Sequence, residues 1–164
     1  MSTHTRKSIL GLLAWLALLT VAAALGSLAS LDAPRFYAAL TRPDWAPPAW
    51  VFGPAWTVLY TMMAIAAWLV WREPASARTR TALVLFMLQL VLNVLWSWLF
   101  FGWGLGLASV IEIVLLWVSI AATIMAFWRI RRLAGALLLP YIAWVTFAAA
   151  LNFTVWRMNP AMFG

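Results

Sequence analysis

Five long stretches of almost unbroken apolar residues follow one another along the chain, separated by polar joints. They run near 9–29, 51–71, 81–101, 105–128 and 133–156. A helix rises about 1.5 Å per residue and needs about 20 residues to cross the hydrocarbon of a bilayer, so each stretch is long enough. Three joints are short ("REPASARTR", "GWG" and "RIRR"), and one is long, residues 30–50, which contains "DAPRFYAALTRPDWAPPAW". The pattern predicts an all-α fold, an integral membrane bundle of five transmembrane helices forming a single domain over 1–164. Arg6 and Lys7 ahead of the first run, with "SLAS" at its end, have the form of a cleavable leader. Its apolar stretch is longer than a leader's core, so a retained helix is expected.

The long joint is the unusual one. Structureless connections of this length are uncommon in compact domains and tend to be functional, so it reads as a lid. Pro47 and Pro48 stand where the second helix must begin, and proline is tolerated only in a helix's first turn. Trp45 and Trp50 suit the boundary between water and lipid, with the ring buried and the N–H wet. Arg35 and Arg42 complete the lid as cations near that boundary.

Composition supports the membrane reading: 66% of residues are apolar and 9% charged, against roughly 45–50% and 25% in soluble domains. The net charge of +7 falls between the apolar runs and forms no patch, which points to anionic headgroups of a lipid bilayer and away from nucleic acid. Five spans place the termini on opposite sides. Arg6, Lys7, Arg72, Arg78, Arg80, Arg129, Arg131 and Arg132 then share the N-terminal side, against Arg35, Arg42 and Arg157. The positive-inside rule therefore expects a cytoplasmic N-terminus and an external C-terminus, in a bacterial cell membrane. Cysteine is absent and the single histidine, His4, lies in the polar tail. No metal site, no thiolate chemistry and no good axial haem ligand are expected.

Within the spans, polar and aromatic residues recur at helical spacing. Gln89, Asn93, Trp96 and Phe100 share one face of the third helix; Trp56 and Tyr60 are a turn apart in the second; Trp144, Ala148 and Asn152 align in the fifth. Glu112 in the fourth is the only ionisable residue inside any run. Counted from the lid end at about 1.5 Å per residue, Trp56, Trp96, Glu112 and Asn152 lie roughly 8–10 Å deep. Gln89 and Trp144 lie near the midplane, at about 18 Å. The plain alternatives are helix packing for the aromatics, interhelical hydrogen bonding for Gln89 and Asn93, and a structural acid bonded to one of them for Glu112. The shared depth beneath a lid favours a ligand pocket. The clearest small-residue stripe, Ala22, Gly26 and Ser30, serves either a dimer or packing within the bundle.

The segments "WAPPAWVFGPAWTVLY", "QLVLNVLW" followed by "FFG", and "PYIAWVTFAAALNFTVWR" resemble the tryptophan-rich sensory protein/translocator protein family, TspO/MBR, over about 36–159. The resemblance implies a five-helix membrane bundle that binds protoporphyrin IX, haem and other flat hydrophobic ligands, and a homodimer. By motif it implies ligand contacts at Tyr37, Trp56, Asn93, Trp96, Phe100, Trp144 and Ala148. Phe153 stands where the family's sterol motif has tyrosine, which speaks against cholesterol as a ligand. Animal members carry a Pro-Pro pair where this chain has Ser97 and Trp98, so a local kink is expected to be lost.

The leading expectation is a membrane tetrapyrrole-binding protein acting as sensor, carrier or regulator of porphyrin levels, with no obligatory cofactor. A light-dependent porphyrin-degrading enzyme, with Trp56 and Trp144 as the reactive pair, is the first alternative. A proton-coupled transporter using Glu112 is the second. Neither a nucleophile nor an acid–base pair is discernible, so no catalytic residue is assigned.

Overall fold

Apolar runs set the helices here; proline, glycine and hydroxyl side chains set where they begin and end. A computed structural model describes residues 3–163, with side chains from Thr5 onward, so the expected solvation of His4 lies outside the described side chains. Helix α1 covers Thr3–Ala29 and starts ahead of its apolar run, taking Arg6 and Lys7 into its first turns. Helix α2, Ala33–Ala39, has Pro34 in its first turn, where the missing N–H leaves no bond unmade. A 3₁₀ turn over Ala49–Val51 leads into α3, Phe52–Trp71. Ser76 caps α4, Ala77–Ser97, by accepting the Thr79 N–H at 3.1 Å.

Helix α5 covers Gly106–Trp128. The last span is two pieces, α6 (Arg132–Leu137) and α7 (Leu139–Met158), parted at Leu138 because Pro140 has no N–H for the turn before it. A final turn, α8, spans Pro160–Phe163. The five expected runs correspond to five stretches long and apolar enough to cross a membrane, Thr5–Ala29, Ala49–Trp71, Ala77–Gly102, Gly106–Trp128 and Arg132–Met158. No strand occurs among the described residues.

Two expectations change. Residues 30–50 are not open loop: α2 and the 3₁₀ turn occupy much of them. The end of the third span also departs from α-helix without any proline. Trp98–Gly102 form a π turn, with the Trp103 N–H donating to the Trp98 carbonyl at 2.7 Å. Gly104 then takes a left-handed conformation, φ 62°, to turn the chain into α5.

Around the bundle α1 packs on α3 and α4, α4 on α5, α5 on α6 and α7, and α6 on α3. The end away from the lid is solid. Ala64, Ala66, Ala67 and Val70 of α3 are fully buried there, as is Phe86 of α4, which stacks on Phe127 at 5.7 Å. Helix α1 is pinned to α3 at this end, where Trp68 Nε1 donates to the Ser8 carbonyl at 2.9 Å. Gly11 lies against the Trp71 ring so closely that a Cβ would come within 2.2 Å of it.

Candidate functional site

Toward the lid the helices part around a cavity of about 770 Å³, inside the roughly 300–1,000 Å³ range of small-molecule sites. Its walls are Leu19, Ala23 and Gly26 of α1, Phe52, Trp56 and Tyr60 of α3, Asn93 and Trp96 of α4, and Trp144 and Ala148 of α7. Tyr37 of α2 closes the top. Among the described residues, no charged side chain lines it.

The aromatic wall is built edge to face, the geometry that ring quadrupoles prefer. Trp56 meets Trp144 at 6.4 Å, and Phe52 meets Trp144 at 5.9 Å and Tyr37 at 5.6 Å; Trp56 and Tyr60, 5.8 Å apart, are tilted at 47° instead. Opposite, Trp96 is backed by Phe100, stacked at 5.6 Å and within 9° of parallel.

A hydrogen-bonded chain holds these walls in register. Tyr60 donates to Asn93 Oδ1 at 2.5 Å, Asn93 Nδ2 donates to Tyr141 Oη at 3.0 Å, and Tyr141 donates to Gln89 Oε1 at 2.9 Å. Trp96 Nε1 donates to Asn152 Oδ1 at 2.9 Å, and Asn152 Nδ2 to Ser109 Oγ at 3.1 Å. Helices α3, α4, α5 and α7 are thereby tied behind the cavity through buried groups that would each cost about 1–3 kcal/mol if left unpaired.

Of the residues singled out in the sequence, Tyr37, Trp56, Tyr60, Asn93, Trp96, Trp144 and Ala148 line the cavity. Gln89, Phe100 and Glu112 stand behind its wall. Gln89 reaches it through Tyr141, and Phe100 supports Trp96. Glu112, 5% exposed, is bonded to neither Gln89 nor Asn93, and both its carboxyl oxygens are buried without a partner. Trp144 Nε1–H is likewise buried without a partner, although its residue lines the cavity.

In the lid, Tyr37 donates to the Pro47 carbonyl at 2.9 Å, and Arg42 lies over the Tyr37 ring, 4.6 Å from its centroid. Arg42 and Pro48 border a shallow cleft of about 450 Å³ on the outer side of the lid. Trp45 packs on Phe147 at 5.9 Å, Trp50 is 74% exposed, and Arg35 is exposed on α2. The stripe of Ala22, Gly26 and Ser30 faces inward. Ala22 and Gly26 are buried, Gly26 and Ser30 line the cavity, and Ser97 lies close against Gly26.

Two contributors went unseen in the sequence. Helix α1 supplies a whole wall, and its only signal is the recurrence of Thr20, Ala23, Ser27 and Ser30 at helical spacing. Tyr141 joins the polar chain, and its signal was its place one turn before Trp144 on the same face.

Five spans and an uncharged aromatic cavity beneath a packed lid define a multi-pass membrane protein with a ligand-sized chamber. The TspO/MBR family model matches residues 13–157, and the chain belongs to the TspO/MBR family. It is 43% identical over 129 residues to the tryptophan-rich protein TspO of Chlorobaculum tepidum, covering 76% of this chain and 80% of the relative. It is 41% identical over 128 residues to the human translocator protein, covering 76% and 75%. With the tryptophan-rich sensory protein of Cereibacter sphaeroides the identity is 38% over 149 residues, covering 88% and 92%.

Proposed function

We propose that the protein binds a tetrapyrrole, protoporphyrin IX or haem, in this cavity and acts as a sensor, carrier or regulator of porphyrin levels. The observation that carries the reading is the meeting of Trp56, Trp96 and Trp144 around one uncharged chamber of about 770 Å³. A flat macrocycle gains from such faces about 0.5–1.5 kcal/mol per ring beyond burial. Arg42, poised over Tyr37 at the lid, is the cation placed to pair with a propionate left at the water boundary. With no histidine or cysteine in the wall, binding favours the metal-free macrocycle over ligated haem. The sensory and translocator names of the relatives accord with this reading. We place the protein in the cell membrane with the lid outside and the basic joints in the cytoplasm.

Titrating the protein with protoporphyrin IX, haem and cholesterol, while following tryptophan fluorescence, tests this. Saturable one-to-one quenching by protoporphyrin is expected, weaker by haem and absent with cholesterol; no saturation by either tetrapyrrole sinks the proposal. The 6.4 Å approach of the Trp56 and Trp144 rings also supports a light-dependent reading. New absorption bands on illumination of the complex, lost in Trp56→Phe/Trp144→Phe, would move the protein from binder to enzyme.

A further inference from the structure

The cavity is bounded differently on its two outward sides. Above, the lid is packed: Tyr37 is buried, bonded to Pro47 and edge-on to Phe52, with Arg42 across its other face. To the side, between α1 and α3, the lining residues Thr20, Ser27, Thr57 and Thr61 are themselves exposed. Both helices are long and apolar enough to span a membrane, so the part of this exposure that faces away from the cavity faces lipid.

The chemistry of this rim is consistent. Each hydroxyl turns back on its own helix: Thr20 donates to the Leu16 carbonyl, Ser27 to Ala23 and Thr61 to Thr57, each at 2.8 Å, and Thr57 donates to Gly53 at 2.9 Å. No donor is left for a passing molecule to strip, so an apolar ring slides through without breaking a hydrogen bond. Gly53 widens the rim, since nothing lies within 4 Å of where its Cβ would stand. The far ends of α1 and α3 stay locked by Trp68, Ser8, Gly11 and Trp71, so the gap opens only at the cavity's level.

We propose that ligand enters from the bilayer through this gap, so that the protein draws on molecules dissolved in hydrocarbon rather than carried to the lid through water. The proposal rests on the binding reading above. The test uses protoporphyrin IX preloaded in phosphatidylcholine vesicles and stopped-flow tryptophan quenching. Gly53→Leu/Thr57→Leu narrows the rim, with open space for the added Cβ at position 53; it should slow association and dissociation about tenfold each. Asn159→Ala, which unclamps the lid at Thr41, should leave the association rate unchanged. Unaltered rates in the narrowed protein, or association several-fold faster in Asn159→Ala, would overturn the route.

A second arm needs no porphyrin, so it separates failure of the route from failure of the binding reading. The chain has no cysteine, so a nitroxide on Ser27→Cys reports one site alone. Greater relaxation by oxygen than by a water-soluble nickel chelate is expected at a rim that faces lipid. The reverse order puts the rim in water and ends the proposal.

Discussion

Tyr141 shows how much of the site depends on one hydroxyl. It accepts from Asn93 and donates to Gln89, and both partners are buried. Tyr141→Phe removes both bonds while keeping the ring, leaving two buried polar groups short of a partner at about 1–3 kcal/mol each. The apparent Tm in detergent should fall by several degrees and porphyrin binding should weaken, because Asn93 loses the contact that aims it at Tyr60. An unchanged Tm would mean the chain of bonds is incidental. The sequence made Asn93, Trp96, Trp56 and Trp144 legible because polar and aromatic groups at helical spacing stand out against an aliphatic background. Leu19 and Ala23 were not legible, since an aliphatic cavity wall looks the same as helix packing. Glu112 stood out as the lone ionisable residue of the runs, yet an acid in a sequence says nothing about direction, and it is not part of the cavity's lining.

The lid consists of two parts held by different means. Its first half is clamped. Thr41 N–H donates to Asn159 Oδ1 and the Thr41 carbonyl accepts from Asn159 Nδ2, both at 2.8 Å, while Phe36 lies edge-on to Phe100 and Phe163. Its second half, from Pro43 to Trp50, depends on the Tyr37–Pro47 bond and on proline stiffness. Asn159→Ala should therefore speed tryptic cleavage after Arg35, an exposed arginine of this half, in the empty protein, with bound protoporphyrin restoring protection. Pro47→Ala/Pro48→Ala should weaken binding several-fold, since closure must then order backbone that is free in the empty state, at about 1 kcal/mol per position. Cleavage and affinity both matching the parent would show that the segment only steers the chain into the membrane. The prolines announced where α3 begins. Helix α2 went unread because seven residues do not hold a helix alone; Phe36 and Tyr37 hold it through contacts distant in sequence. The π turn at Trp98 was hidden for a similar reason, as no breaker residue marks it.

Across the whole molecule, hydropathy sufficed for five spans and their order, because a bilayer leaves a backbone few other choices. What it could not convey is that one end of the bundle is solid and the other hollow. That difference follows from size: alanines and Phe86 close the far end, whereas indoles from α3, α4 and α7 hold the lid end apart. The central claim is that this hollow end, and not another aromatic surface, takes the tetrapyrrole. It is tested by equilibrium titration of protoporphyrin IX against the parent, Trp144→Ala and Trp117→Ala, the last removing an indole on the outer face of α5. Trp144→Ala should lose at least tenfold in affinity, about 1.4 kcal/mol, with its helical content intact, while Trp117→Ala binds as the parent does. Equal losses in the two variants, or none in Trp144→Ala, would contradict the assignment.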